Sequence, residues 1–423
     1  MESKNQKMMK IETLKKEVHV LEEDIQETRS SFEKGQGGSG EKRMRLDFAD
    51  EAGEPSSKFS KMLQNFADLE NNYFTFASRY KKVIGETIQS AFKYKSVSSI
   101  FQVSFAGNFA NSANVNAMQL NSLGLLGVVG SLKTINIYNQ SDIGSSQLPT
   151  LYPITKLTTK ALNWSLSWNN TATNLLAVGD FNSDVNVWDI TKSVLTHSFR
   201  EHCEGKFTSV NFCPTKSNQI ISAGFDSQIR LWSLNRKESC IQLSSPDKIL
   251  SLSFRPDSAH HFAVCSIDSC IHTFDIRQPN KPLSTLTGHS KSVFKLAFMG
   301  RKHLISASID GSLKQWSFET GECIRTYRGH NNESKFIGLA VLDDHIACGS
   351  EDNKVVIYHE ALSKPVLKYE FPANPTLLNV ANEQKDVRQV TAVAWSSSIM
   401  AAANDSGRVQ ILKLNEDDSY KGI

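Results

Sequence analysis

The chain has 423 residues, enough for two or three domains of ordinary size or for one repeat array with an appendage. Its 47 Lys+Arg stand against 44 Asp+Glu, and a net charge of +3 is too small to argue for a wholesale nucleic-acid binder or a membrane-surface protein. The opening MESKNQKMMK is charged with no apolar run behind it, and no stretch approaches the ~18 apolar residues of a spanning helix, which argues against secretion and membrane insertion.

The seven cysteines fall between Cys203 and Cys348 with no tight CxxC pair, and they read as reduced thiols, mostly small core residues. Before His197 the chain has no Cys and a single His, His19, so no Cys/His zinc module can be built there. The chain contains no GxxxxGK[ST], HExxH or GxSxG motif, and nothing local points to a cofactor, a metal or a catalytic centre.

In chain order, residues 1–32 are expected to hold a coiled-coil helix. Ile11, Leu14, Val18, Leu21 and Ile25 recur at spacings of 3, 4, 3 and 4, with Lys, Glu and Asp filling the other faces. The seam covers about three heptads and predicts self- or partner-association, against the blander reading of a helix packed on its own domain. Residues 33–57 mix Gly, Ser and charge without period and read as a flexible linker. Within it Lys42-Arg43-Met44-Arg45 is a weak nuclear-import cluster, and the expected location is nucleus and cytoplasm. Residues 58–94 return to helical spacing through Phe59, Met62, Phe66, Leu69, Tyr73, Phe76 and Tyr80, a stripe wide enough to dock on the following domain.

From about residue 95 to 415 the texture changes to short alternating strands, followed by a tail at 416–423. A unit recurs at about the 40- to 45-residue period of propeller blades. The clearest one runs from Gly288-His289 through KSVFKLAF and HLISASIDGSLKQW to Trp316. ISAGFDSQIRLW, VCSIDSCIHTF and ACGSEDNKVVIY end at Trp232, Phe274 and Tyr358, each with an Asp six residues before the closing aromatic. LLAVGDFNSDVNVW carries a shifted acid, and LLGVVGSLKTINIY and IMAAANDSGRVQIL are weaker copies, so the count is seven. The predicted fold is all-β, a seven-bladed WD-repeat β-propeller preceded by the two helical segments. The sets His289, Asp310, Trp316 and His202, Asp226, Trp232 read as hydrogen-bond networks inside blades, with a Ser such as Ser306 completing them. Recurrence from blade to blade argues against a catalytic His-Asp-Ser reading.

Lys206, Lys248, Lys291, Lys335 and Arg388 fall in nearly the same register ahead of the innermost strands of five blades. They predict a basic ring at one mouth of the central channel and an acidic ligand for that face.

The stretch FIGLAVLDDHIACGSEDNKVVIYHEALSKP from Phe336 resembles the sixth blade of the constitutive photomorphogenesis protein 1 family of ubiquitin ligases. So do RTYRGHNNESKF, LSWN at Leu166–Asn169 and IHTFDIRQPNKPL, and the likeness covers roughly residues 60–415. That family joins a RING finger, a coiled coil and a seven-bladed propeller, and this chain resembles the second and third parts. The resemblance implies a channel mouth that binds degron peptides built on a Val-Pro pair with acidic residues upstream. Lys291 and Phe336 fall on a Lys and a Phe of the family pocket, Phe181 stands for a Tyr, and Lys206 lies near a family Arg. A pocket Trp becomes Thr208, with Phe207 beside it, and a family Lys maps to Leu162 or, with a gap, to Lys160.

Without zinc ligands ahead of the propeller, this chain alone is not expected to catalyse ubiquitin transfer. Two routes into a ligase follow: pairing with a RING-bearing relative through the heptads, or docking on a cullin-4 ligase adaptor through Asp226, Arg230, Trp232 and Arg236, whose pattern resembles the box of such receptors. The leading expectation is a substrate-recognition or regulatory subunit of a ubiquitin ligase. The alternative is a non-degradative scaffold that competes for the same peptides.

Overall fold

The computed structural model describes residues 94–104, 114–130, 133–139, 153–202, 208–279, 281–371, 388–396 and 399–416. The heptad seam of Ile11, Leu14, Val18, Leu21 and Ile25, the linker at 33–57 and all but the last residue of the 58–94 segment lie outside them. Lys206 and Phe207 lie outside them too.

The described residues form seven four-stranded antiparallel sheets, the blades of a β-propeller. In blade five the strands Val293–Met299, His303–Ser308, Leu313–Ser317 and Cys323–Tyr327 pair in sequence order from the inside outwards. Blades one to four and blade six repeat that meander. Each innermost strand packs against those of the two neighbouring blades, and the last, Val390–Ser396, meets the first, Val115–Leu120, so the ring closes.

Closure also uses the start of the described chain. Blade seven takes three strands from residues 390–416, and its outermost strand is Tyr94–Ser104, paired antiparallel with Arg408–Glu416. Those strands reach Tyr94 and Glu416, one residue beyond the sequence estimate at each end. A ring closed by a strand from the other end of the chain must lose that ladder before it can open, which couples blade seven to the rest.

The core lies between the blades, where the faces of adjacent sheets meet. Val129, Ile135, Leu157, Trp168, Leu176 and Val178 fill one such layer between blades one and two. Innermost strands have no ladder partner on the channel side, so their backbone groups need other acceptors. Gln119 Oε1 accepts the Trp168 N–H at 2.9 Å, Ser165 Oγ that of Val210 at 3.1 Å, Ser167 Oγ that of Phe212 at 2.9 Å and Ser209 Oγ that of Leu252 at 3.2 Å. Polar residues on these strands stitch each blade to the next.

The anticipated networks are present. His289 Nδ1 meets Asp310 at 2.8 Å, its Nε2 meets Ser306 Oγ at 2.7 Å, and Trp316 Nε1 donates to the same Oγ at 2.8 Å. In blade three His202, Asp226, Ser222 and Trp232 repeat it at 2.9, 2.7 and 2.7 Å. Burial would raise the Asp310 pKa, but hydrogen bonds from His289, Ser312 and the Ser290 backbone hold the carboxylate well below its usual range. Blade six has Cys348 where blade five has Ser306, and there His330 Nδ1 bonds directly to the Tyr358 hydroxyl at 2.9 Å.

The shifted acid of blade two is Asp180. It opens the turn, and its Oδ1 accepts the N–H groups of Asn182 and Asp184, each at 2.9 Å, the work done in blade five by Asp310 Oδ1 on the Ser312 N–H. Of the six described cysteines, Cys213, Cys265 and Cys348 are core, whereas Cys240 and Cys323 are exposed; none forms a disulfide. The expectation that most would be core holds for half of them.

Candidate functional site

All seven innermost strands run in the same direction through the ring, so their first residues share one face. The turns between the second and third strands of each blade return to that face. They are built alike: Ser183, Ser227, Ser269 and Asn353 sit at positive φ (60–68°) in the position that Gly311 and Gly407 fill in blades five and seven. The first residue of each turn is held to the loop ahead of its innermost strand, as when the Phe181 N–H bonds Leu162 O at 2.9 Å and the Ile309 N–H bonds Ser292 O at 3.1 Å. This fold places Phe181, Phe225, Ile267 and Ile309 around the channel mouth on blades two to five, with Glu351 and Asp405 in register on blades six and seven.

Phe336 stands just ahead of the innermost strand Leu339–Leu342 of blade six and is 36% exposed, high for an aromatic ring. Its ring contacts Phe294 of blade five, with centroids 5.5 Å apart, and Trp164 of blade two at 5.8 Å in an edge-to-face arrangement. Trp164 also meets Phe181 edge-to-face at 5.6 Å. The four rings join blades two, five and six into one aromatic cluster, partly exposed at Trp164, Phe181 and Phe336 and buried at Phe294. Edge-to-face pairing adds about 1 kcal/mol per pair beyond the area buried, so the patch holds its shape before any ligand arrives.

Of the predicted pocket, the structure brings Phe181 and Phe336 together through Trp164. Sequence reasoning passed over Trp164 and Phe294. Both are the unpaired residue in the bulge of their innermost strand, between Asn163 and Ser165 and between Val293 and Lys295. A bulge shifts the alternation of faces, so strand patterning alone would not have flagged them.

Lys248, Lys291 and Lys335 are exposed at the starts of innermost strands, and Arg388 at the equivalent place in blade seven is half-buried. Lys248 lies over the Phe225 ring, 5.2 Å from its centroid, a cation–π contact that ties basic and aromatic elements of the face together. The loop carrying Lys335 and Phe336 has its own clamp: Glu351 Oε1 accepts the backbone N–H groups of Glu333, Ser334 and Lys335 at 2.9, 2.8 and 2.8 Å. The charge of Glu351 is thus directed at backbone donors of the loop. Next to Phe181, burial pushes the Asp180 carboxyl up to about 6, and repulsion from Asp184 adds to it.

The four residues of the adaptor pattern are placed very differently from one another. Asp226 and Trp232 belong to the His202 network, and Trp232 is fully buried. Arg230 is 5% exposed and faces Glu201 at 3.7 Å. Arg236 is exposed. Among the described residues no cluster of His, Cys, Asp and Glu has the makings of a metal site.

Comparison with known proteins fits this architecture. The WD domain, G-beta repeat model matches residues 193–233, 280–317 and 321–359, in blades two to six. The chain is 32% identical over 292 residues to the E3 ubiquitin-protein ligase COP1 of Arabidopsis thaliana, covering 69% of this chain and 43% of that protein. It is 31% identical over 299 residues to the Arabidopsis protein SUPPRESSOR OF PHYA-105 1, covering 68% and 29% respectively. With the Arabidopsis WD repeat-containing protein RUP2 it shares 28% identity over 263 residues, 58% of this chain and 70% of that protein. The chain spans less than half the length of the COP1 and SUPPRESSOR OF PHYA-105 relatives it matches. The matched residues and the seven WD-type blades make this chain a WD-repeat homologue of the COP1 and SPA proteins.

Proposed function

We propose that the chain is a substrate-recognition or regulatory subunit of a ubiquitin ligase, and that its channel mouth binds peptides carrying a Val-Pro pair with acidic residues upstream. The observation that supports this most is the partly exposed patch of Trp164, Phe181 and Phe336, backed by the buried Phe294 and edged by Lys291 and Lys335. An apolar pair laid on Phe336 and Trp164 gains dry contact, while upstream carboxylates approach the lysines, with Lys206 and Phe207 completing the face by sequence position. Entry into a ligase runs through a RING-bearing relative paired along the Ile11–Ile25 seam. Docking on a cullin-4 adaptor through blade three would fall to Arg236, because Asp226, Arg230 and Trp232 are engaged within the blade. The alternative of a competing, non-degradative scaffold uses the same patch, and the likeness to RUP2, named for its WD repeats alone, favours keeping it in view.

The test is titration of an acidic Val-Pro peptide into the wild type, Phe336→Ala, Trp164→Ser and Lys291→Glu. Loss of an aromatic anchor should cost about 2 kcal/mol with little dependence on salt. Lys291→Glu should weaken binding most at low ionic strength, because an exposed charge is screened. No binding by the wild type, or one affinity for all four proteins, removes the patch from the function. Co-purification of ligase subunits with the full chain then separates a ligase subunit from a scaffold that merely competes.

A further inference from the structure

The seven innermost strands read VNAMQL, NWSLSW, TSVNF, ILSLSF, VFKLAFM, LAVL and VTAVAWS. Together they hold no Asp, Glu, Arg or His and one charged residue, Lys295. Lys295 pairs with Ala307 just after the bulge of its strand. The same register is filled by Ala117, Ser165, Ser209, Ser251, Gly338 and Ala392 in the other blades. A residue in the middle of an innermost strand has its own sheet on one edge and neighbouring blades against both faces. The open direction is the central channel, and Lys295 is partly exposed there.

Among the described residues no carboxylate or other hydrogen-bond acceptor pairs with the Lys295 ammonium. Burial lowers its pKa from the ordinary lysine value, as expected for a cation enclosed by protein, although part of its surface still meets the water of the channel. An enclosed cation without a counter-charge is costly. Hydroxyls lie in the same register on three consecutive blades, two to four. Ser209 Oγ accepts the Leu252 N–H at 3.2 Å, so its own O–H remains a donor. A cation, hydroxyl donors and no acid on the strands that line the channel are the makings of a site for an anion with several oxygens.

We propose that the central channel binds a small oxyanion at Lys295, either free phosphate or the carboxylate of an acidic side chain reaching in from a bound peptide. This site is separate from the aromatic patch and does not rest on the peptide reading.

The experiment titrates inorganic phosphate into the full chain at constant ionic strength, following thermal stability and the 31P linewidth of the anion. The wild type is compared with Lys295→Met, Lys295→Gln and Lys295→Arg. Saturable binding that weakens tenfold or more in the Met and Gln variants and survives in the Arg variant is expected, since a charge-assisted contact is removed in the first two. If Lys295→Met does not fold, Lys295→Gln gives the same comparison. In a second arm the acidic Val-Pro peptide is added. Competition with phosphate identifies the occupant as a peptide carboxylate, and independent binding identifies it as free anion. Equal responses in wild type and the Met and Gln variants, or no saturable response to phosphate or peptide, overturn the proposal.

Discussion

Glu351→Ala isolates what holds the loop ahead of the innermost strand of blade six in place. Glu351 Oε1 takes three backbone N–H groups, those of residues 333 to 335, immediately ahead of Phe336. A hydrogen bond to a charged acceptor contributes about 1.5–3 kcal/mol when buried, but these amides are exposed and water replaces much of what they lose. A net loss of about 1–2 kcal/mol of loop order follows, and a ligand must supply it on binding, so affinity for an acidic peptide should fall about five- to thirtyfold. The electrostatic effect has the opposite sign, because removing an acid from a basic face favours an acidic peptide. Glu351→Gln keeps an oxygen that can accept all three N–H groups and should restore most of the affinity. Peptide titration by calorimetry, with hydrogen exchange at amides 333–335, reads both effects. Tighter binding by Glu351→Ala, or unchanged exchange at those amides, refutes the clamp.

Other perturbations probe the scaffold. Ser306→Ala removes the shared partner of His289 Nε2 and Trp316 Nε1, leaving two buried groups unpaired, and should cost about 3 kcal/mol in denaturant unfolding; a loss under about 1 kcal/mol would mean the network is incidental. His330 is 8% exposed, and burial brings its pKa down from 6.5 to about 4. Between those values the unfolded chain binds a proton that the folded blade does not, so its share of stability is full above pH 6.5 and is lost as pH falls towards 4. That share is about 3 kcal/mol over the whole interval. Stability measured across that range should fall less steeply in His330→Phe than in the wild type; parallel curves would show that His330 does not titrate as described.

The blades were legible because the signal repeats. An Asp six residues before an aromatic recurs in blades three to six, and its turn, left-handed position and hydrogen bonds follow from local chemistry that each unit carries within itself. Asp180 was visible only as an irregular acid, since its role depends on which turn atom the side chain reaches.

Register already placed Lys291 and Lys335 at one end of their blades, because a fixed strand order carries every innermost strand the same way, while Phe181 and Phe336 were pointed to only by the family resemblance. That Phe336 meets Trp164, more than 170 positions away, depends on a ring closing by a strand from before the first blade. Contacts across a closed ring are set by the angle between blades, which no local pattern encodes. Likewise Lys295 reads as one more residue of an alternating strand. Only the assembled ring leaves it as the single charge on the strands that line the channel. Periodicity and turn chemistry are local and survive in the sequence, whereas the meeting of distant side chains is a property of closure and belongs to the tertiary structure alone.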